Sequence, residues 1–320
     1  MSAPSFRYVY GPVPSRRLGR SLGIDLVPFK TCTYDCIYCQ LGRTTNQTIR
    51  REAFLPVEDV LEELQRKLAA GAAPEYVTLA GSGEPTLHSG IGSLIRGVKR
   101  LTDIPVAVLT NGSLLWREDV REDLSAADVV IPSLDAGEER LFRYVNRPHG
   151  GIAFDRMVDG LADFTARFPG AVWLEVFLLA GLTGIPAEAE RIAALARRIA
   201  PARVQLGTVC RPPAENSARP LTAPQLQSLA RLFPGGVDVL AASGQQPMTG
   251  KAAGTLESDI LAVIRRHPCT ARDAAACLGI HATEAVKLLN GLAAAGKAKT
   301  AVQDGRTYYL DVESGASGGK

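Results

Sequence analysis

The chain has 320 residues and 46% hydrophobic composition, with 36 Lys and Arg against 33 Asp and Glu for a net charge of +3. That length holds a full α/β core with room for a second, smaller domain, and so small a net charge selects no partner. No apolar run is long enough to span a bilayer and residues 1–10 carry no secretory pattern, so neither a membrane nor an exported protein is expected.

A cytoplasmic location follows from this reading, and in a reducing compartment clustered cysteines are metal ligands more often than disulfides. Taken in order, the chain begins with a basic stretch. Residues 1–51 hold eight Lys and Arg against Asp25 and Asp35 alone. This is either a solvated surface or a positive rim that draws in an anionic substrate.

Residues 21–28 alternate as a strand and lead directly into Thr31-Cys32-Thr33-Tyr34-Asp35-Cys36-Ile37-Tyr38-Cys39-Gln40. Pro56 opens a helix with Val60, Leu61, Leu64 and Leu68 on one face. Strands are then expected at 76–80, 106–110, 129–134, 172–179 and 204–209. Helices are expected at 91–101, 117–124, 138–144, 154–168, 187–200 and 224–232. Six strand–helix units of this kind give a parallel sheet covered by helices. The expected fold class is α/β, a partial (β/α)6 TIM-type barrel, with chemistry at the carboxyl ends of the strands.

Residues 241–255 are rich in Gly, Ala and Gln without periodicity and read as a linker closing a catalytic domain of residues 1–240. Beyond it, three helical patterns precede two short strands around Gln303-Asp304-Gly305-Arg306, a good hairpin turn. This is the order of a winged helix-turn-helix domain, placed at 256–313, with 314–320 as a disordered tail. Residues 256–312 carry seven Lys and Arg against six Asp and Glu, too balanced for a clear nucleic-acid footprint. Nucleic-acid binding, peptide or protein binding, and packing against the chain's own catalytic domain all stand open for it.

Cys32, Cys36 and Cys39 fall within eight residues at C-x3-C-x2-C spacing. Three thiolates hold a metal centre but leave a four-iron cluster one ligand short. The loop therefore reads as the cradle of a [4Fe-4S] cluster with one exchangeable iron. A zinc site or buried free thiols is the alternative, although no second C-x2-C or His pair accompanies the motif. Cys269 and Cys277 read as packing thiols. Cys210 ends the sixth strand near the mouth of the barrel and is a candidate hydrogen-atom donor. Glu175 interrupts an apolar strand, so its charge must meet a wet pocket or a partner.

A first strand leading into this loop, with Tyr38 just before the last cysteine, resembles the radical S-adenosylmethionine (radical SAM) superfamily across roughly residues 20–210. The resemblance implies that the open iron chelates the amino and carboxylate groups of S-adenosylmethionine. An electron from the reduced cluster then cleaves a carbon–sulfur bond to give methionine and a 5′-deoxyadenosyl radical. It implies Cys32, Cys36 and Cys39 as cluster ligands, Tyr38 beside the adenine, and an electron donor of flavodoxin or ferredoxin type. Gly81-Ser82-Gly83-Glu84-Pro85 stands where the family carries a glycine-glycine-glutamate turn. Ser82 interrupts it, leaving Gly83 and Glu84 as the matching positions, with Glu84 able to accept from an ammonium group. Asn111 and Ser133, at two further strand ends, match positions that contact the cofactor. Asp135 and the strand-borne Glu175 are further candidates for contact with the cofactor or substrate.

Tyr10-Gly11-Pro12-Val13-Pro14-Ser15-Arg16-Arg17-Leu18-Gly19 and Asn146-Arg147-Pro148-His149 resemble a narrower, poorly characterised branch grouped with the tRNA wyosine-base synthases. The flanks of the cysteine loop depart from that group, and no flavodoxin-like domain is seen. Arg16, Arg17, Arg20 and Arg147 are candidates for pairing with substrate carboxylate or phosphate oxygens. The expected function is a radical SAM enzyme acting on an unidentified substrate, an RNA such as tRNA or a peptide or protein. The rival is an iron–sulfur redox sensor that binds DNA through its winged domain.

Overall fold

The computed structural model describes residues 6–240 and 256–312, except 267, 279 and 304. The expected linker at 241–255 and tail at 314–320 lie outside the described residues. The chain opens with an antiparallel pair, β1 (Val9–Ser15) and β2 (Gly19–Ile24). The short parallel pair β3 (Thr31–Cys32) and β4 (Asn46–Gln47) then frames the cysteine loop. Next come α1 (Val57–Ala69), β5 (Tyr76–Leu79), α2 (Ile91–Leu101), β6 (Val106–Thr110), α3 (Glu118–Leu124) and β7 (Val129–Pro132). They are followed by α4 (Glu139–Val145), α5 (Phe154–Arg167), β8 (Ala171–Phe177), α6 (Pro186–Ile199), β9 (Arg203–Gly207), α7 (Ala223–Ala230) and β10 (Val237–Val239).

The sheet order is β1-β2-β5-β6-β7-β8-β9-β10, with every pair after the first parallel. All six expected strands are present, and the sheet gains one strand at each edge. β1 contains Pro12 and Pro14, which cannot donate to a ladder and are tolerated only at an edge. β10 has three residues, too few to show a period.

Alternation along each strand decides which side chains face which way. Leu22, Ile24, Val77, Leu79, Val106, Val108, Val130, Leu174, Val176, Val204 and Leu206 turn outward into one core with the covering helices. The opposite faces line the lumen of an open barrel. At its amino end, buried Leu18, Ala107, Val129 and Ile131 pack with Tyr76, Leu109 and Trp173, closing the lumen there. Strands β1 and β10 do not pair with each other, so the barrel is open along that seam. Arg16 reaches toward it, donating to the Leu240 carbonyl at 3.4 Å.

After the undescribed segment come α8 (Leu256–Arg266), α9 (Ala271–Leu278), α10 (Ala282–Ala294) and the antiparallel hairpin β11 (Ala298–Gln303) and β12 (Arg306–Asp311). Ile260, Ile264, Cys269, Ala274, Leu289 and Tyr309 form their core, and Val13 of β1 packs against it. The three-helix unit therefore sits on the edge strand of the barrel. Cys269 is a buried packing thiol, as its position suggested, and Cys277 packs beside it.

Candidate active site

The chain leaves the carboxyl end of β2 and turns sharply at Lys30, whose φ of 58° is in the left-handed region. The turn is held by the Lys30 amide donating to the Ser82 carbonyl at 2.8 Å. It places the three cysteines above the carboxyl end of the sheet. All three thiols are free and half-buried.

Each sulfur faces an N–H donor. Lys30 Nζ lies 3.1 Å from Cys39 Sγ, and Asn146 Nδ2 lies 3.4 Å from Cys36 Sγ. The Tyr34 amide and Asn111 Nδ2 each approach Cys32 Sγ at 3.5 Å. Donors to sulfur favour the thiolate over the thiol. Burial opposes them: it pushes the Cys32 thiol up to about 12, with the Glu84 charge adding to it, and pushes Cys36 well above the usual thiol range. A metal ion settles that contest by displacing the proton outright.

Below the loop lies the turn after β5. A Cβ on Gly83 would stand 1.9 Å from the Thr31 carbonyl oxygen, so only glycine lets the turn pack under the loop. Glu84 is 2% exposed. Its Oε1 accepts from the Thr86 amide (3.1 Å), Thr86 Oγ1 (2.6 Å) and Thr110 Oγ1 (2.6 Å), and its Oε2 from the Asn111 amide (2.8 Å). Burial raises its carboxyl above the ordinary value, against those four donors. The expected role for Glu84, accepting directly from a ligand ammonium, is thus largely taken by its own chain. The carboxylate braces the ends of β5 and β6 instead.

Asn111 likewise turns toward the loop, donating to Thr33 Oγ1 at 2.7 Å while its Oδ1 accepts from the Ser113 amide at 3.0 Å. Ser133, half-buried at the end of β7, forms an isolated bridge with Glu175 of β8.

Tyr38 hangs from the loop into the mouth of the lumen. Its ring stacks on Phe177 at 4.3 Å, and its hydroxyl donates to Asp135 Oδ2 at 2.5 Å. Asp135 also accepts from Asn146 Nδ2 at 2.7 Å and from the Phe177 amide at 3.0 Å. One carboxylate therefore aligns the aromatic pair and the amide that faces Cys36.

Deeper in the lumen, Arg17 from the β1–β2 turn pairs with Glu175. Glu175 finds a partner, as an interrupting charge must. Burial, with Arg16 nearby, lowers the Arg17 guanidinium to about 10. The side-chain oxygen of Gln205, beside Glu175 in the β8–β9 register, is buried without a hydrogen bond.

The remaining candidates fall elsewhere. Arg20 lies at the amino end of β2, paired with exposed Glu75 at 3.4 Å, on the far side of the sheet from the cysteines. It is therefore not part of this site. Arg147, at φ 45°, forks onto both oxygens of Glu215, which also accepts from Arg43 at 3.1 Å. Its guanidinium braces the loop after β9 rather than waiting for a substrate anion. Cys210 follows β9, half-buried and electrostatically in reach of Arg17, with its carbonyl accepting from Tyr308 Oη at 2.8 Å.

Lys30 was not foreseen as a site residue, and Asn146 was singled out only as part of Asn146-Arg147-Pro148-His149. Lys30 was one of eight early basic residues, and only its place two residues before Cys32 could have singled it out.

An open α/β barrel with a three-cysteine loop at the carboxyl ends of its strands is the arrangement of a class of cofactor-dependent enzymes. Residues 26–196 match the radical SAM superfamily, and the chain belongs to it. It is 31% identical over 310 residues to a UPF0026 protein of Methanocaldococcus jannaschii, covering 94% of this chain and 95% of that one. It is 38% identical over 303 residues to a protein of Brachyspira hyodysenteriae named GTPase Obg, of which it spans 45%. No G-x4-G-K-[S/T] phosphate loop occurs in the present sequence.

Among solved structures, a radical SAM methyltransferase from Sphaerobacter thermophilus superposes with a TM-score of 0.54 at 17% identity, over 68% of this chain and 66% of that one. TYW1 with a lysine-pyruvate adduct superposes with a TM-score of 0.51 at 16% identity, over 70% and 74%. These likenesses establish the shared fold.

The superfamily's cofactors are a [4Fe-4S] cluster and S-adenosylmethionine. The residues present fit them. Three free thiols with N–H donors, one of them a buried ammonium, suit a thiolate set carrying net negative charge. Among the described residues no three His, Cys, Asp or Glu side chains close around a single ion, whereas cluster ligands bind separate irons and stand apart.

Proposed function

We propose that the chain is a radical SAM enzyme whose Cys32, Cys36 and Cys39 hold the cluster and whose substrate is received in the barrel lumen. The observation that carries this reading is the N–H donor on each of the three sulfurs, above a lumen with a polar interior. When bound, the cluster and S-adenosylmethionine supply a 5′-deoxyadenosyl radical.

The chain's own residues divide the remaining tasks. Lys30 offsets the charge of the thiolates, Gly83 lets the cofactor turn approach the loop, and Glu84 fixes that turn against β6. Tyr38 and Phe177 present an aromatic wall at the mouth. The Arg17–Glu175 pair and Gln205 offer donors and acceptors to a polar substrate below it.

An electron donor of flavodoxin or ferredoxin type completes the proposal. The C-terminal unit is read as winged-helix-like, and an RNA or peptide substrate remains within the reading. A redox regulator needs no polar lumen beneath its cluster, and the buried Arg17–Glu175 pair weighs toward the enzyme.

The test is anaerobic reconstitution, reduction, addition of S-adenosylmethionine and assay for 5′-deoxyadenosine. Wild-type protein forms it and Cys36→Ala does not. A cluster whose spectrum ignores the cofactor would sink the enzyme reading.

A further inference from the structure

Asp25 stands just past β2, its side chain 9% exposed. Its Oδ1 accepts from the Ser82 amide at 3.0 Å and its Oδ2 from Ser82 Oγ at 2.5 Å. Gly81 admits it, since a Cβ there would lie 2.4 Å from Asp25 Cγ. One buried carboxylate thus grips the middle of the Gly81-Ser82-Gly83-Glu84 turn. A charge so placed needs a counter-charge, because an unpaired buried ion is strongly destabilising.

The counter-charge comes from outside the barrel. Arg266, in the last turn of α8, places Nε 3.2 Å from Asp25 Oδ2 and is itself 9% exposed. Its N–H is not aligned on that oxygen, so the contact is one of charge rather than a directed hydrogen bond. Three further contacts fix the guanidinium. It lies 4.6 Å over the Tyr10 ring and donates to the carbonyls of Arg7 (2.8 Å) and Ala262 (3.0 Å). Tyr10 in turn donates through its hydroxyl to the Ala80 carbonyl at 3.2 Å, immediately before the turn. Two routes, Asp25 to Ser82 and Tyr10 to Ala80, therefore run from one arginine of the C-terminal unit to the cofactor turn.

We propose that Arg266 is a positioning residue for S-adenosylmethionine, so that the C-terminal unit completes the cofactor site of the barrel. This rests on the reading of residues 81–84 as the cofactor turn. A docking contact without that role has a counterpart for comparison in Lys67 of α1, whose ammonium lies 3.9 Å from Asp259 of α8 and over the Phe6 ring rather than against residues 80–84.

The experiment uses the full-length, anaerobically reconstituted protein. It measures iron per chain, the S-adenosylmethionine Kd by equilibrium dialysis, and hydrogen exchange of the 81–84 amides. In Arg266→Met, Kd rises at least about tenfold and the turn exchanges at least about tenfold faster, with iron content kept. Lys67→Met leaves both readouts at wild-type values. Combining Asp25→Asn with Arg266→Met removes the charge to be neutralised while leaving an acceptor for Ser82, and brings Kd back to within about threefold of wild type.

Wild-type Kd and exchange in Arg266→Met overturn the proposal, as does a double variant no better than the single one. If Arg266→Met does not fold, the double variant decides: a Kd within about threefold of wild type supports the proposal and a Kd raised about tenfold or more overturns it. Failure of the wild type to bind S-adenosylmethionine would remove the underlying reading instead, and hydrogen exchange would still report on the coupling.

Discussion

The Asn111 amide donates to Glu84 Oε2 at 2.8 Å, joining the end of β6 to the turn after β5. Three other donors converge on the same carboxylate, none of them from the cysteine loop. Glu84→Ala should therefore loosen the cofactor turn while sparing the cluster. We expect S-adenosylmethionine affinity to fall about tenfold or more and stability to fall by about 2–4 kcal/mol, since buried donors lose their acceptor. Iron content should stay near the wild-type value. Loss of iron in this variant would show that the division of roles is wrong.

Gly83→Ala should behave in the opposite way. Its methyl group would meet the Thr31 carbonyl, a backbone atom that cannot rotate aside, and Thr31 is bonded to Cys32. The loop must move. Iron per reconstituted chain should fall well below the Glu84→Ala value, with about 2–4 kcal/mol of stability lost. Iron retention at wild-type levels would contradict the close approach.

Lys30 tests the electrostatics of the cluster site. A positive charge 3.1 Å from a ligand sulfur stabilises the more negative, reduced state. Lys30→Met should lower the midpoint potential in an EPR-monitored titration by about 60–130 mV, the equivalent of one charge-assisted hydrogen bond in a one-electron couple. Lys30→Arg should keep most of it. An unchanged potential in Lys30→Met would mean that the lysine only packs the turn.

Asp119 gives a pH signature on the outer face. Arg117 clasps it with two 2.9 Å hydrogen bonds and Arg51 adds another, holding its carboxyl at about 2. The folded value lies below the unfolded value of 3.8, so the contribution is complete above about pH 4 and fades as pH falls toward 2. Asp119→Asn should melt about 1–2 °C below wild type at pH 6, a small effect because the group is half exposed. The two melting curves should converge by pH 2. A difference that grows on acidification would reverse the sign.

Much of this architecture was legible in the sequence because it rests on local regularities. Alternation marked β2, short runs rich in β-branched residues marked the other five inner strands, and C-x3-C-x2-C marked the loop. The edge strands were not legible, since β1 carries prolines that argue against a strand and β10 is too short to show a pattern. Within the site, sequence identified groups able to do chemistry but not their partners. Glu84 and Arg147 were read as facing a ligand, and their charges are met by Thr110, Thr86, Asn111 and Glu215. Arg266 was beyond reach, because Asp25 lies 241 positions away and no periodicity links such distant residues.

The Leu18 packing at the amino end of the barrel bears on molecular traffic. With Tyr76, Trp173, Val129 and Ile131 sealing that end, a molecule in the lumen has no exit behind it. That leaves the mouth and the open seam between β1 and β10 as the ways in and out for any molecule the lumen receives.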